Sequence, residues 1–452
     1  MDRRSFIRKS AAGSAAMAFP YHLFGENLKM EKARIAFIGV GLRGCNHLNN
    51  LLHRDDITVP AICDIDPSRI EIAQKMITDK GFPKAAVYKD HEYSYRDLLA
   101  RNDIDGVIIS TPWLWHTPMA VDAMKAGKYA GVEVSAATTM AECWDLVDTY
   151  EETGVPLMIL ENVCYRRDVM AVLNMVREGL FGELLHARCG YQHDLREVKF
   201  NDGKQPYGNG VEFGEKAVSE AAWRTQHSLK RNADLYPTHG LGPVATMMDI
   251  NRGNRFTRLS SFATKARGLK NYIENHPAGG VDHPNAKLDW KLGDVVTTTI
   301  ETAMGETILV THDCNSPRPY SLGFRVQGTR GLTEFDYHSQ RIYVEGMGEA
   351  HMWEDFQPYL DKYDHPLWKK YGEYAEGSGH GGMDFFVDHA FVEIVKRQAS
   401  APLDAYDAAA WSAVTPLSEM SIAEGGNAQD FPDFTRGKWI KRIPVFAMVD
   451  EY

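Results

Sequence analysis

A surplus of positive charge is missing from this 452-residue chain, in which 50 Lys and Arg stand against 61 Asp and Glu, a formal net charge of −11. That leaves no basic footprint for nucleic acid or an anionic membrane, and a neutral or polar small substrate fits better. Cysteine is scarce. The six thiols, Cys45, Cys63, Cys143, Cys164, Cys189 and Cys314, form no C-x-x-C pair and have no histidine at zinc-site spacing, so neither a disulfide scaffold nor a metal is expected. No run is long and apolar enough to span a bilayer, and neither internal repeats nor low-complexity tracts occur. With 44% hydrophobic and 25% charged residues, what remains is ordinary globular material, enough for two domains with substantial cores.

Against that background one stretch stands out. Residues 33–44 read ARIAFIGVGLRG, a short apolar run typical of a buried parallel strand passing into Gly39, Gly41 and Gly44 at G-x-G-x-x-G spacing. The first glycine permits a tight turn, the second lets backbone approach a pyrophosphate, and the third lets the next helix pack closely with its N-terminus toward the anion. The following strand, TVPAICDID, ends at Asp64, twenty residues after Gly44, where an acid hydrogen-bonds an adenosine ribose. That favours NAD over NADP, with Arg69 nearby able to soften the preference. Cys45 and Cys63, beside this turn and its acid, read as small buried thiols.

Ahead of the strand, MDRRSFIRKSAAGSAAMAF carries Arg3-Arg4, Phe6, Arg8-Lys9 and a small-residue stretch ending Ala16-Met17-Ala18. It reads as a twin-arginine export signal, with a periplasmic mature protein expected. We therefore divide the chain into signal and linker (1–30), a Rossmann NAD-binding domain (31–163) and a substrate-binding α+β domain (164–452). In the first domain about six parallel strands alternate with helices, and their carboxyl ends carry polar residues: a loop Thr111-Pro112-Trp113-Leu114-Trp115-His116, then Glu133-Val134-Ser135, then Glu161-Asn162. Ligands gather at such strand ends. The second half turns to alternating segments that read as long antiparallel strands, giving an α/β protein whose second domain holds a mainly antiparallel open sheet, with helices in the tail.

The glycine turn, Asp64, the TPWLWH loop, the GVEVS strand end and the two-domain layout resemble the Gfo/Idh/MocA oxidoreductase superfamily. More narrowly, the twin-arginine start, WLWH, EVSAATT, LENVCY, GYQHDLR and DLYPTHGLGP resemble glycoside hydrolase family 109, the α-N-acetylgalactosaminidases. The chain departs from the wider superfamily twice, and the narrower family shares both departures. Its usual Glu-Lys-Pro is here Glu133-Val134-Ser135, without the lysine that helps alcohol oxidation, and its Asp-x-x-x-His pattern is altered, with Asp234, Tyr236 and His239 in DLYPTH.

The resemblance implies hydrolysis by transient NAD-dependent oxidation at C3 of the sugar, elimination across C1 and C2, water addition and re-reduction, instead of two carboxylates flanking the bond. It implies cofactor contacts at Leu42, Arg43, Asp64, Trp113, Leu114, Trp115, His116, Glu133, Val134 and Asn162. It implies substrate contacts at Tyr191, Arg224, Tyr236, Pro237, Thr238, His239 and Tyr320, and a tendency toward homodimers. His239 and Tyr236 are the first choices as acid/base groups, with Glu161 assisting. The expected partner is a glycoside with a terminal N-acetylhexosamine. His380 with Asp384 reads either as facing the cleft or as a helix start, and His227 and His312 read as structural. Two rival readings are a periplasmic NAD(P)-dependent sugar oxidoreductase and a non-catalytic sugar-binding module.

Overall fold

The computed structural model describes residues 30–336, 339–450 and 452; the twin-arginine segment lies outside the described residues. Among the described residues the strands of the first sheet are β1 (Ala33–Ile38), β2 (Ile57–Thr58), β3 (Ala61–Cys63), β4 (Ala86–Tyr88), β5 (Gly106–Ile109), β6 (Tyr129–Val132) and β7 (Leu157–Ile159). All pair in parallel, in the order β4-β3-β1-β5-β6-β7 with β2 beside β1. The order runs outward from β1 in one direction through β3 and β4, then restarts at β5 in the other. That reversal opens a crevice beyond the carboxyl ends of β1 and β5, where a doubly wound sheet takes its ligand.

The second sheet has nine strands: β8 (Leu184–Gln192), β9 (Phe256–Ala263), β10 (Val295–Thr302), β11 (Thr307–Asp313), β12 (Phe324–Gly328), β13 (Gly331–Asp336), β14 (Ser339–Val344), β15 (Glu354–Asp355) and β16 (Gln429–Asp430). Their order is β15-β14-β13-β12-β8-β11-β10-β9-β16, antiparallel throughout except for the parallel pair β8 and β11. Alternating burial along β10, with Val296, Thr298 and Ile300 inward, shows one face on the core and the other outward.

Two features differ from the sequence reading. Residues 113–116, read as loop, form the first turn of the helix Trp113–Lys125, with Pro112 at its N-cap. Pro118 sits inside that helix and, read from sequence, mimics a helix start, because proline lacks the N–H that a helix interior needs. The region between 195 and 240, read as an insertion, joins residues 269–290 around a small core of Phe200, Val211, Leu269, Ile273, Ala286 and Trp290.

The tail returns to the first domain. Helix Met383–Arg397 packs on helix Leu42–Leu51 and on β1, and helix Ala405–Ser412 packs on β7 and on helix Met140–Thr153. Phe391 is fully buried against the strand glycines Gly106 and Gly131, so the far end of the chain completes the cover of the nucleotide-binding sheet. Phe391→Ala is expected to cost about 3–5 kcal/mol, read as a lowered urea midpoint with an unchanged slope.

Candidate active site

The nucleotide turn is built for an anion. Gly39 has φ +86, which only glycine adopts freely, and a Cβ on Gly44 would lie 2.0 Å from the Gly39 carbonyl oxygen. The helix can therefore sit directly on the turn. A Cβ on Gly41 would meet nothing within 4 Å. Gly41 caps the helix without a side-chain cap and the first turn carries no acid, leaving its N–H groups open toward a pyrophosphate. Asp64 follows β3 and accepts from the Val40 N–H at 2.8 Å and the Asp66 N–H at 3.0 Å, which fixes its carboxylate at the rim of the turn.

Beyond this turn the strand ends carry polar atoms that are buried and without protein partners: Ser110 Oγ after β5, Ser135 Oγ after β6 and Asn162 Oδ1 after β7. Unpartnered buried polar atoms are costly, and a row of them along the crevice fits a hydroxyl- and amide-rich dinucleotide such as NAD. His116 ties two of these ends together, its ring nitrogens 2.8 Å from the Ser135 carbonyl and 2.7 Å from that of Thr111. Burial holds its imidazole below the usual range. Trp113 faces the second domain, Leu114 is exposed, and Trp115 turns away onto Tyr93 and Tyr95.

Arg43 and His47 lie one turn apart on helix Leu42–Leu51, and Asp384 and Asp388 lie one turn apart on helix Met383–Arg397. They pair across the helices, Arg43 Nη1 to Asp384 at 2.8 Å and His47 Nδ1 to Asp388 at 2.5 Å, while Glu133 Oε1 takes Arg43 Nε at 2.6 Å and His47 Nε2 at 2.8 Å. The second oxygen of Glu133 accepts from the Val134 N–H. Asp384 also accepts from Asn162 Nδ2 at 2.6 Å and faces His380 Nδ1 at 2.6 Å. Three expected cofactor contacts, Arg43, Glu133 and Asn162, thus share one buried network. Burial works against every charge in it, but Arg43 and His47 hold Glu133 well below the usual carboxylate range, and His380 and Arg43 do the same for Asp384. Burial likewise opposes charge on His47, yet the Asp388 carboxylate pushes it up to about 9 against the nearby Arg43.

The expected substrate residues converge from four segments. Tyr191 ends β8, Arg224 opens helix Arg224–Lys230, Tyr236 to His239 lead into helix Thr238–Met247, and Tyr320 precedes β12. A Cβ on Gly240 would lie 2.3 Å from the Gly190 nitrogen, so this close approach brings His239 against Tyr191, their rings 5.2 Å apart and edge-on. Tyr236 lies 4.8 Å from His239, 4.9 Å from Tyr191 and 5.6 Å from Trp113, on which it stacks. The Arg224 guanidinium lies over both Trp113 and Tyr236, 5.1 and 4.9 Å from their ring centres, and pairs with Glu220. Tyr320 closes the cluster 6.2 Å from Tyr191. Pro237 caps the helix, and Thr238 is buried with its hydroxyl unpartnered.

Behind this aromatic wall, Glu161 is fully buried and holds His239 Nδ1 at 2.8 and 3.0 Å through its two oxygens. It also accepts from the Val163 N–H. The imidazole is partly exposed, so its other nitrogen remains for a ligand. Burial pushes the Tyr236 phenol well above the usual range, with Arg224 opposing, and pushes that of Tyr320 up to about 12.

Sequence reasoning missed His47, Asp388 and His193, and named Asp384 only beside His380. His193 lies 3.1 Å from the Tyr191 hydroxyl and 5.2 Å from Tyr320, and burial holds it below the usual imidazole range. Its signal was available, since two-residue spacing from Tyr191 places both on one face of an extended segment. Asp384 offered no comparable signal toward the nucleotide turn, 341 residues from its Arg43 partner.

A parallel nucleotide-binding sheet with a G-x-G-x-x-G turn, joined to a mixed sheet whose aromatic pocket opens at the strand ends, defines an NAD-binding protein of the Gfo/Idh/MocA oxidoreductase class. The model of that family, described as an NAD-binding Rossmann fold, matches residues 33–161, and one for the glycosyl hydrolase 109 C-terminal domain matches residues 165–441. The chain belongs to glycosyl hydrolase family 109. It is 53% identical to a glycosyl hydrolase family 109 protein of Stenotrophomonas maltophilia, over 100% of this chain and 99% of the relative. It is 50% identical to an alpha-N-acetylgalactosaminidase of Tannerella forsythia, over 99% of each. A levoglucosan dehydrogenase in complex with NADH and L-sorbose shares the fold at a TM-score of 0.65 and 20% identity, covering 89% of this chain and 100% of that one.

Asp384→Asn keeps the shape but removes the charge facing Arg43, and NAD affinity is expected to fall about tenfold or more, measured by calorimetric titration. For His47 the folded value near 9 exceeds the unfolded value near 6.5. Its contribution is therefore complete below about pH 6.5 and is lost as pH rises through 9. The stability deficit of His47→Gln should reach on the order of 3 kcal/mol at pH 6 and shrink by pH 9.5, followed by urea denaturation at each pH.

Proposed function

We propose that this chain is an exported glycosidase that removes terminal α-N-acetylgalactosamine, or a related N-acetylhexosamine, with NAD as a resident cofactor. The observation that carries this reading is the buried Glu161 holding His239 inside a tyrosine- and arginine-lined pocket at the carboxyl ends of the nucleotide-binding strands. Relatives from Tannerella forsythia and Shewanella oneidensis named alpha-N-acetylgalactosaminidase, 50% and 46% identical, support the choice of sugar. The twin-arginine start supports export to the periplasm, and a resident cofactor suits that compartment because no partner has to reoxidise it.

NAD, when bound, supplies a hydride acceptor for C3 of the sugar and returns the hydride at the end, so no net redox occurs. Once C3 is oxidised, the C2 proton is acidic and the C1 substituent can leave by elimination; water then adds at C1. In this reading His239 takes the proton at C2. Its Nδ1 must carry the hydrogen donated to the Glu161 carboxylate, which leaves the Nε2 lone pair as the base. Glu161 acts through that ring as a positioning residue. Tyr236, kept protonated by burial, donates a hydrogen bond instead of competing as a base. Tyr191 and Tyr320 offer aromatic faces to the sugar ring, and Arg224 offers N–H groups to hydroxyls or to the acetamido carbonyl. With Val134 and Ser135 after Glu133, no lysine stands at this strand end to drive net alcohol oxidation.

The purified mature protein is expected to release 4-nitrophenol from the α-N-acetylgalactosaminide without added cofactor, and its acid-denatured supernatant to contain NAD. Reduction of added NAD by free sugar without cleavage would instead favour the oxidoreductase. Substrate deuterated at C2 should lose label to solvent during turnover, and full retention overturns the elimination route. His239→Asn should lower kcat by about 10²–10⁴, and Glu161→Gln in the same direction with the bound NAD content unchanged.

A further inference from the structure

Beside Trp113 and Arg224 lies a small, partly open chamber of about 10 Å³, room for one water-sized sphere. Trp113, Leu195 and Leu235 give it apolar walls, and its polar lining comes from Lys199, Arg224, Ser228, His312 and Cys314. Among the described residues no carboxylate lines it. Lys199 is only 3% exposed, and among the described residues its ammonium donates to a single neutral acceptor, Asn315 Oδ1, at 2.5 Å. Arg224 has its charge answered by Glu220, which lies outside the chamber. His312 is 3% exposed, and its Nδ1 has no partner among the described residues. The Cys314 thiol is directed at the Tyr191 carbonyl, 3.5 Å away.

A buried ammonium without a counter-charge is one of the more costly arrangements a protein interior can hold. The Asp194 and Asp294 carboxylates act on Lys199 from a distance only, and burial, joined by Arg224, pushes the ammonium down to about 8. Lys199 is thus still largely charged at neutral pH. The same two cations, together with burial, hold His312 neutral, well below the usual imidazole range. Donors therefore dominate the lining, and what they lack is a compact acceptor that carries negative charge.

We propose that a single halide-sized monovalent anion binds in this chamber between Lys199 and Arg224, held by the ammonium, the guanidinium and His312. Because Trp113 and Arg224 are shared with the aromatic pocket, the anion would brace the wall on which Tyr236 stacks. The proposal does not rest on any reading of the reaction.

The test uses the full-length purified protein and chloride or bromide alone. At constant ionic strength, with potassium gluconate replaced stepwise by potassium chloride up to 100 mM, the thermal midpoint should rise by about 2 °C and approach saturation. Crystals grown in bromide should show one anomalous peak within about 3.5 Å of Lys199 Nζ. Lys199→Met should abolish the chloride-dependent shift. Should that variant fail to fold, the wild-type titration and the bromide diffraction decide the matter alone. Equal midpoints in chloride and gluconate, together with a water and no anomalous signal in the chamber, would overturn the proposal.

Discussion

A carboxylate that leaves water needs a cation, and helix Met383–Arg397 buries two of them, Asp384 and Asp388, on one face. Their cations come from helix Leu42–Leu51. Since residues four apart stack on one side of a helix, Arg43 with His47 and Asp384 with Asp388 form matched pairs that fit in one register. Glu133, from the end of β6, binds both cations and so adds a third element to the junction. This contact makes the C-terminal tail part of the nucleotide-binding domain and orients the side chains that line its crevice.

The aromatic pocket depends on a different constraint, backbone proximity. Gly190 and Gly240 let β8 and helix Thr238–Met247 approach more closely than any Cβ would allow. Tyr191 and His239, the residues beside those glycines, are thereby brought edge to face. Glu161, from the end of β7, reaches His239 from below and fixes which of its nitrogens carries the proton. The pocket is thus floored by the nucleotide-binding sheet and walled by the second domain. In the function proposed above, that arrangement would set a sugar's ring carbons beside the crevice in which a dinucleotide would lie.

Arg224 and Lys199 illustrate how cations in one region are treated differently. Arg224 lies over two aromatic faces with Glu220 as counter-charge, which makes it a stable donor to a ligand. Lys199 has a neutral amide instead, and its charge faces the chamber. Guanidinium suits a stacked, paired position because it is planar and weakly hydrated, whereas an ammonium is a compact point charge that demands an acceptor.

Local chemistry was legible without a fold. The glycine turn, the acid twenty residues beyond it and the strand ends at Glu133 and Glu161 all follow from short-range rules on turn geometry, apolar runs and polar strand ends. The two sheets and the parallel character of the first were readable for the same reason, whereas the pocket residues Tyr191, Arg224, Tyr236, His239 and Tyr320 were named only through what the resemblance to glycoside hydrolase family 109 implies. The start of the helix at Trp113 was not readable, because Pro118 imitates a helix N-terminus and only packing decides which proline marks it. Nor were the pairing of Arg43 with Asp384, the contact of His193 with Tyr320 and the chamber around Lys199. Each joins residues far apart in the chain, and a charge shows in sequence that it needs a partner but never which one. Tertiary structure decided that, because the partner is set by which helix faces meet and how closely their backbones approach.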